Sequence, residues 1–218
     1  MPPALAFLPD LATLAPFLAA ALALNLTPGA DMTYVVARSV GQGRAAGLSS
    51  SFGIAAGSLL HGVFAAVGLS AVLQHSELAF QIIKWAGAGY LLYLAWKALR
   101  GAGQGLDAPA RPPASQGRVF LEGMLTNLLN PKVALFILAF LPQFVDPAKG
   151  SVAGQILFLG LLFNIGGTVV NLAVAWSTSA ARRLVGGSPR FAAAMRRLSA
   201  LVFVWLAIRM AMSERATP

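Results

Sequence analysis

The stretch Asn25-Leu26-Thr27-Pro28-Gly29-Ala30-Asp31 interrupts a long apolar run, and Asn127-Leu128-Leu129-Asn130-Pro131-Lys132 interrupts another in the second half of the chain. Proline lacks a backbone donor and disfavours the helical conformation of the residue before it. Both stretches are therefore predicted to break a helix. Because Thr and Asn are good N-caps and proline suits the first helical position, a new half-helix is predicted to begin at Pro28 and at Pro131.

The composition indicates an integral membrane protein. Of 218 residues, 57% are hydrophobic and 11% are charged, whereas about one quarter of the residues of a soluble domain are charged. The net charge of +9 comes from short basic clusters between apolar runs, which argues against a nucleic-acid-binding face. There is no cysteine, which excludes disulfide scaffolds, thiolate metal sites and dithiol electron relays. We expect neither a cofactor nor a metal.

Six stretches are long and apolar enough to cross a bilayer, which takes about 20 helical residues. They lie near residues 11–37, 45–73, 78–99, 119–144, 152–178 and 191–212. The chain is predicted to be a single transmembrane domain, 1–218, with a first repeat 11–100, a cytoplasmic linker 101–117 and a second repeat 118–212. No Lys or Arg precedes Arg38, so the apolar N-terminus lacks the basic region of a secretory signal and is interpreted as a retained span.

Basic residues mark alternate connections between these stretches. The other two connections carry little charge, because Gln74–Glu77 has no Lys or Arg and Val145–Gly150 has only Lys149. By the positive-inside rule the basic connections face the cytoplasm, which predicts a multi-pass protein of a bacterial inner membrane with both termini outside. The basic connections contain Arg38 and Arg44; Lys97, Arg100, Arg111 and Arg118; and Arg182, Arg183 and Arg190.

The two halves of the chain share short matches in the same order. Besides the two proline stretches, these are Ala46-Gly47 with Gly53 against Ala153-Gly154 with Gly160, and Trp96-Lys97-Ala98-Leu99-Arg100 against Trp205-Leu206-Ala207-Ile208-Arg209. Three spans per half is an odd number, so the second half must lie inverted relative to the first. The predicted fold is an all-α bundle of six transmembrane helices with an inverted 3+3 repeat. Helices 1 and 4 are predicted to break near the membrane midplane.

Charged residues beside the breaks indicate a binding site. Half-helix N-termini offer free amide hydrogens and positive dipole ends, which suit a carboxylate. A charge such as that of Asp31 costs about 2.5–3.5 kcal/mol within the membrane, and Lys132 lies in a first helical turn, where the dipole disfavours a cation. Our hypothesis is that Asp31 and Lys132 form a switchable pair for which substrate or proton competes. A structural ion pair or a snorkelling Lys132 is the alternative.

Other intramembrane polar residues have two interpretations each. Asn25, Asn127 and Asn130 could line a polar path or bond across helices for packing. Glu122 lies one turn inside Arg118, where it is expected to pair with a basic residue, with a role as cytoplasmic gate as the alternative. We expect interhelical hydrogen bonds rather than ligand roles for His61, Asn164 and Asn171.

Several motifs together resemble the LysE/RhtB family of amino-acid exporters, the lysine/homoserine/threonine exporter type, over nearly the whole chain. They are Thr27-Pro28-Gly29-Ala30-Asp31, Arg38-Ser39 with Gly43-Arg44-x-x-Gly47, Lys84-x-x-Gly87-Ala88-x-Tyr90-Leu91, Asn127-x-x-Asn130-Pro131-Lys132 and Phe140-x-Pro142-Gln143-Phe144. The resemblance implies export of amino acids or close derivatives by proton antiport, along a pathway with Asp31, Asn127, Asn130 and Lys132. Many members carry Pro-Asn where this chain has Ala30-Asp31, so the acid is not required by every member's mechanism.

The predicted function is a secondary transporter that exports an amino acid, with a membrane channel or a structural membrane subunit as alternatives. An enzyme is disfavoured, because Ser49–Ser51 offers no Gly-x-Ser-Gly nucleophile and Asp31 is the only acid expected near the midplane. The expected partners are the amino acid, protons and the lipid bilayer. A homo-oligomer is left open.

Overall fold

The computed structural model describes residues 9–75, 77–100, 112–177 and 189–212, which form eight α-helices and no strand. Residues 101–111 of the predicted linker and the basic pair Arg182 and Arg183 lie outside these ranges. The helices are α1 (Leu11–Leu26), α2 (Ala30–Gln42), α3 (Arg44–His75), α4 (Glu77–Leu99), α5 (Gln116–Leu128), α6 (Pro131–Leu135), α7 (Val152–Trp176) and α8 (Pro189–Met212).

The first predicted span consists of two helices, α1 and α2, whose axes differ by 47°. Thr27 ends α1: its backbone amide donates to the carbonyls of Ala23 and Leu24, and its hydroxyl donates to the Ala23 carbonyl at 2.7 Å. Gly29, in an extended conformation with φ −161°, is the N-cap of α2. The break is confirmed, but the predicted helix start at Pro28 is wrong. Because Thr27 bonds backwards to α1, it caps the end of that helix rather than the beginning of the next.

The fourth predicted span is broken at Asn130 and Pro131, as predicted. The Asn130 side chain accepts a hydrogen bond from the Lys132 amide at 3.1 Å, and Pro131 is the first residue of α6. After α6 the chain continues through a π-helical turn, Phe136–Phe140, and a 3-10 turn, Leu141–Phe144. The two parts of this span are bent by 49°.

Two helical segments of the described chain are long and apolar enough to cross a membrane, Arg44–Gly68 of α3 and Val152–Trp176. The two bent pairs also qualify if each counts as one span. The described residues thus contain two to four candidate spans, and the predicted count of six stays a prediction.

The outer surface of the helices is apolar, as lipid contact requires. Large hydrophobic side chains are exposed along α3, α4 and α7, among them Phe64, Val67, Trp85, Ile165 and Trp176. Exposure of so many apolar groups is unfavourable in water, whereas contact with lipid tails is favourable for them. The interior contains an aromatic cluster, which we define as Phe17, Phe136, Phe140 and Phe144; their ring centroids lie 4.7–6.5 Å apart.

Helix α3 is the centre of the bundle because glycines let its neighbours approach closely. A Cβ on Gly57 would lie 2.7 Å from the Met124 carbonyl oxygen, and a Cβ on Gly53 would overlap the Phe120 carbonyl. From the other side, a Cβ on Gly123 would lie 2.7 Å from a carbonyl oxygen of α3. Helix α3 packs chiefly against α5 and α7, while α4 packs chiefly against α8. This arrangement brings the break in the fourth span against the break in the first.

Candidate functional site

The two helix breaks are in direct contact. The Asn127 side-chain amide donates to Asp31 Oδ2 at 2.9 Å, which joins the end of α5 to the first turn of α2. Lys132 Nζ donates to the carbonyl oxygens of Leu24 at 3.2 Å and Thr27 at 2.9 Å, which joins α6 to the end of α1. The predicted meeting of two interrupted helices is therefore confirmed.

The ammonium of Lys132 caps α1 instead of forming a close ion pair with Asp31. None of the ion pairs within the described ranges joins Asp31 to Lys132, although both line one cavity, and the switchable pair stays a hypothesis. The reason that Lys132 caps α1 is the proline: in a continuous helix the Leu24 carbonyl would accept from residue 28, and Pro28 has no N–H. A cation at the negative end of α1 is also favoured by the helix dipole.

A small cavity lies where the breaks meet, bounded by α1, α2, α6 and α7. The polar side chains that line it are Asn25, Thr27, Asp31, Lys132 and Asn171, and the rest of its lining is apolar or glycine. This mixed lining, in which Asp31 and Lys132 supply groups of opposite charge, is suited to a small polar molecule.

Three buried polar atoms at the two breaks lack a hydrogen-bond partner within the described chain, and of their residues Asp31 lines the cavity. They are the acceptors Asp31 Oδ1 and Asn127 Oδ1 and the donor Asn130 Nδ2. Leaving a buried polar group unsatisfied costs about 1–3 kcal/mol, so such groups are rare unless a ligand or water completes them. The contact of the two breaks thus contains two acceptors and one donor that the described chain leaves unsatisfied.

The asparagines at the breaks also hold neighbouring helices. Asn25 Nδ2 donates to the Phe163 carbonyl of α7 at 3.2 Å, and a Cβ on Gly167 would lie 3.0 Å from Asn25 Oδ1. The Asn127 carbonyl lies 3.2 Å from His61 Nε2 of α3. Asn25 and Asn127 therefore bond across helices, which is one of the two interpretations that the sequence left open; Asn25 also lines the cavity, and the polar path stays a prediction.

The interhelical bonds expected for three other polar residues are found for two of them. His61 contacts the Asn127 carbonyl, and Asn164 Nδ2 donates to the Ala55 carbonyl at 2.9 Å. Asn171, in contrast, lines the cavity and makes no hydrogen bond within the described part of the chain. The expectation is wrong for Asn171.

An ionic network, which we define as Tyr34, Arg38, Arg118 and Glu122, lies at the far end of α2. Glu122 Oε2 is 2.5 Å from Arg38 Nη2 and accepts from the Tyr34 hydroxyl at 3.2 Å, while Oε1 accepts from Arg118 Nε at 2.9 Å. The predicted pairing of Glu122 with a basic residue is confirmed. The sequence alone indicates no site role for Tyr34 or Arg38, although their i,i+4 spacing places both on one face of α2.

The same end of α2 also binds the residues that precede α5. Arg38 Nη1 donates to the Pro112 carbonyl at 3.0 Å, and Gln42 exchanges hydrogen bonds with the backbone of Ala114. At the opposite end of the span, Asp10 and Lys149 form an ion pair at 3.2 Å. Hydrogen bonds from Thr13, with Lys149 as a smaller contribution, lower the pKa of Asp10 to about 2. Ion pairs therefore stabilise both ends of the broken span, Arg38 with Glu122 at one end and Asp10 with Lys149 at the other.

The fold and the site define a helical membrane protein with a polar cavity between broken helices, an arrangement typical of secondary transporters. A family model described as LysE type translocator matches residues 22–214. The chain belongs to the LysE type translocator family.

Several relatives are similar to this chain over most of its length. The homoserine/homoserine lactone efflux protein of Salmonella typhimurium is 36% identical over 138 residues, which cover 63% of this chain and 66% of that protein. An uncharacterized membrane protein of Vibrio cholerae is 31% identical over 145 residues, 66% of this chain and 70% of that protein. The uncharacterized membrane protein YrhP of Bacillus subtilis is 26% identical over 197 residues, 86% of this chain and 93% of that protein. No solved structure matches the chain.

Proposed function

We propose that this protein is a secondary transporter that exports an amino acid or a close derivative from the bacterial cytoplasm across the inner membrane by proton antiport. The observation that carries the proposal is the set of unpartnered atoms, Asp31 Oδ1, Asn127 Oδ1 and Asn130 Nδ2, at the contact of the two breaks. Membership of the translocator family supports transport, and the name of the Salmonella relative supports a small amino acid as substrate.

The free atoms match the ends of a zwitterion. An α-ammonium group has three donors, which fit the acceptors Asp31 Oδ1 and Asn127 Oδ1. An α-carboxylate accepts, which fits Asn130 Nδ2 and the ammonium of Lys132. When Lys132 turns to the carboxylate, it leaves the carbonyls of Leu24 and Thr27. Substrate binding thereby loosens the contact that holds α1 against α6.

The same carboxylate gives a basis for proton coupling. A proton on Asp31 removes the negative charge that the substrate ammonium requires, so proton and substrate compete for one group. Exchange of one proton for one zwitterion also moves one charge across the membrane. A pH difference of one unit supplies about 1.4 kcal/mol and a potential of 100 mV about 2.3 kcal/mol, together enough for roughly 400-fold accumulation.

We propose six spans in two inverted halves around this cavity. Support comes from the helix packing, because α3 packs on α7 and α4 on α8, and these are the corresponding helices of the two halves. The positive-inside rule places the ionic network on the cytoplasmic side. There it closes the route from the cytoplasm to the cavity, and Glu122 acts as the gate when its bonds to Arg38 and Tyr34 open.

Uptake of labelled amino acids into inverted membrane vesicles tests this function. We expect accumulation of at least one amino acid that requires an imposed pH gradient and saturates with concentration. Asp31→Asn removes the proton-binding group at constant shape and should abolish gradient-dependent accumulation. The matched control Asp10→Asn changes an acid outside the cavity and should leave it intact.

Three outcomes would contradict the proposal. Flux that does not saturate and ignores the gradient would indicate a channel. Absence of uptake for every amino acid under every gradient would indicate a protein without this transport activity. Full gradient dependence in Asp31→Asn would exclude Asp31 as the coupling group.

A further inference from the structure

We propose that Asn171 binds the side chain of the transported molecule and selects amino acids whose short side chain carries a hydroxyl or a similar hydrogen-bonding group. This inference rests on the proposed function and adds the determinant of substrate choice. It starts from one observation: Asn171 is a buried amide, 7% exposed, that lines the cavity and has no hydrogen-bond partner within the described chain.

Asn164, two turns earlier on α7, shows by comparison that a buried amide of this helix can have hydrogen-bond partners. Asn164 is equally buried, 6% exposed, but donates to the Ala55 carbonyl and accepts from the Thr168 hydroxyl. An amide that stabilises helix packing has such partners. Asn171 has none among the residues that the structure describes, so its amide is available to a guest in the cavity.

The other polar groups of the cavity are already engaged or are suited to the ends of the zwitterion. Asn25 donates to the Phe163 carbonyl, and the Thr27 hydroxyl donates to the Ala23 carbonyl. In the proposed function Asp31 and Lys132 receive the substrate ammonium and carboxylate. Asn171 is therefore the polar lining group that is left for the substrate side chain.

The chemistry of an amide defines the class of side chain. Asn171 has both a donor and an acceptor, which a hydroxyl satisfies because it donates and accepts. The remaining lining, with Met32, Val133 and Phe163, is apolar and gives no polar alternative. A site that hydrogen-bonds its substrate discriminates against an analogue without that group, because the buried amide then stays unpaired.

Competition between homoserine and norvaline, which differ by a terminal hydroxyl against a methyl, tests the inference in inverted vesicles. We expect the unmodified protein to favour homoserine by about tenfold or more, the value of one hydrogen bond. Asn171→Leu keeps the branched shape of the side chain and removes the hydrogen-bonding group, and it should lower the homoserine-to-norvaline ratio about tenfold while norvaline uptake persists. Asn171→Ala repeats the test without added bulk.

Asn164→Leu is the matched control, since it changes the same residue type on the same helix. It should lower the thermal stability of the detergent-solubilised protein and leave the substrate ratio unchanged. An unchanged ratio in both Asn171 variants, or equal loss of both substrates, would overturn the role of Asn171 while leaving the proposed function standing. If the unmodified protein transports no amino acid, the proposed function fails, and this inference fails with it.

Discussion

Replacement of Glu122 by Gln tests how strongly the ionic network holds α2 against α5. The change keeps the shape of the side chain and removes the charge that faces Arg38. The Arg38 guanidinium, 3% exposed, would then be a buried cation without its counter-ion at 2.5 Å. Breaking a buried ion pair in this way costs about 3–5 kcal/mol.

The structure indicates that the free-energy cost of Glu122→Gln lies at the lower end of that range. Glu122 is 26% exposed, so water screens part of its charge, and Arg38 keeps the Gln42 and Pro112 oxygens and the Tyr34 hydroxyl as acceptors. We therefore expect Glu122→Gln to lower the free energy of unfolding by about 3 kcal/mol. For a chain of this size that corresponds to a fall in Tm of roughly 6–12 °C.

The control is the second ion pair of the Glu122 carboxylate, which it forms with Arg118. Arg118 contacts Glu122 at 2.9 Å with an i,i+4 spacing but is 72% exposed, so Arg118→Gln should cost only about 0.3–0.5 kcal/mol. Thermal unfolding in detergent, followed by tryptophan fluorescence, measures both variants. Equal, small decreases in Tm would refute the reasoning, because they would show that Arg38 is not desolvated in the folded protein.

Two further predictions concern packing and pH. Gly53→Ala should destabilise the protein by several kcal/mol because the new methyl would overlap the Phe120 carbonyl. The control Gly62→Ala, on the same helix, places its methyl where nothing lies within 4 Å and should be neutral or stabilising by up to about 1 kcal/mol. Thermal unfolding distinguishes the two variants, and equal effects would contradict the close contact between α3 and α5. Since the pKa of Asp10 is lowered from 3.8 to about 2, its stabilising contribution is fully present above pH 4 and is lost as the pH falls through about 2. A carboxyl NMR titration of Asp10 with a midpoint near 4 would contradict the hydrogen bonds from Thr13.

The sequence was sufficient to predict the helical class and the two breaks, because these depend on local chemistry. Pro28 and Pro131 remove a backbone donor wherever they occur in a helix, and Asn130 caps the helix after it in the usual way. The same rule failed at Thr27, whose hydroxyl has two local choices. It bonds to the Ala23 carbonyl behind it instead of the amides ahead, so the next helix begins at Ala30.

What the sequence could not show are contacts between distant parts of the chain. Asn164 and Asn171 are the same residue type on the same helix with similar burial, and only their surroundings show that, among the described residues, Asn164 has a hydrogen-bond partner and Asn171 has none. From the sequence alone, Arg38 is interpreted as one of the basic residues that mark the cytoplasmic side of the membrane. Its burial against Glu122 and Pro112 could not be inferred, because those residues are far away in sequence.

Lys132 shows why a local conflict in a sequence can indicate a site without defining its contacts. Within α6 the cation lies at the wrong end of the helix dipole, which suggested a nearby carboxylate. The structure resolves the conflict with a different helix, because the break at Pro28 leaves the Leu24 and Thr27 carbonyls facing Lys132. Both prolines are therefore needed for one contact: Pro131 places Lys132 in a first turn, and Pro28 frees an acceptor for it. Asp31 lines the same cavity. In the proposed function, a substrate carboxylate that attracts Lys132 would therefore also alter the charge balance around Asp31, which connects the proposed substrate site, the position of α1 and the proposed proton site.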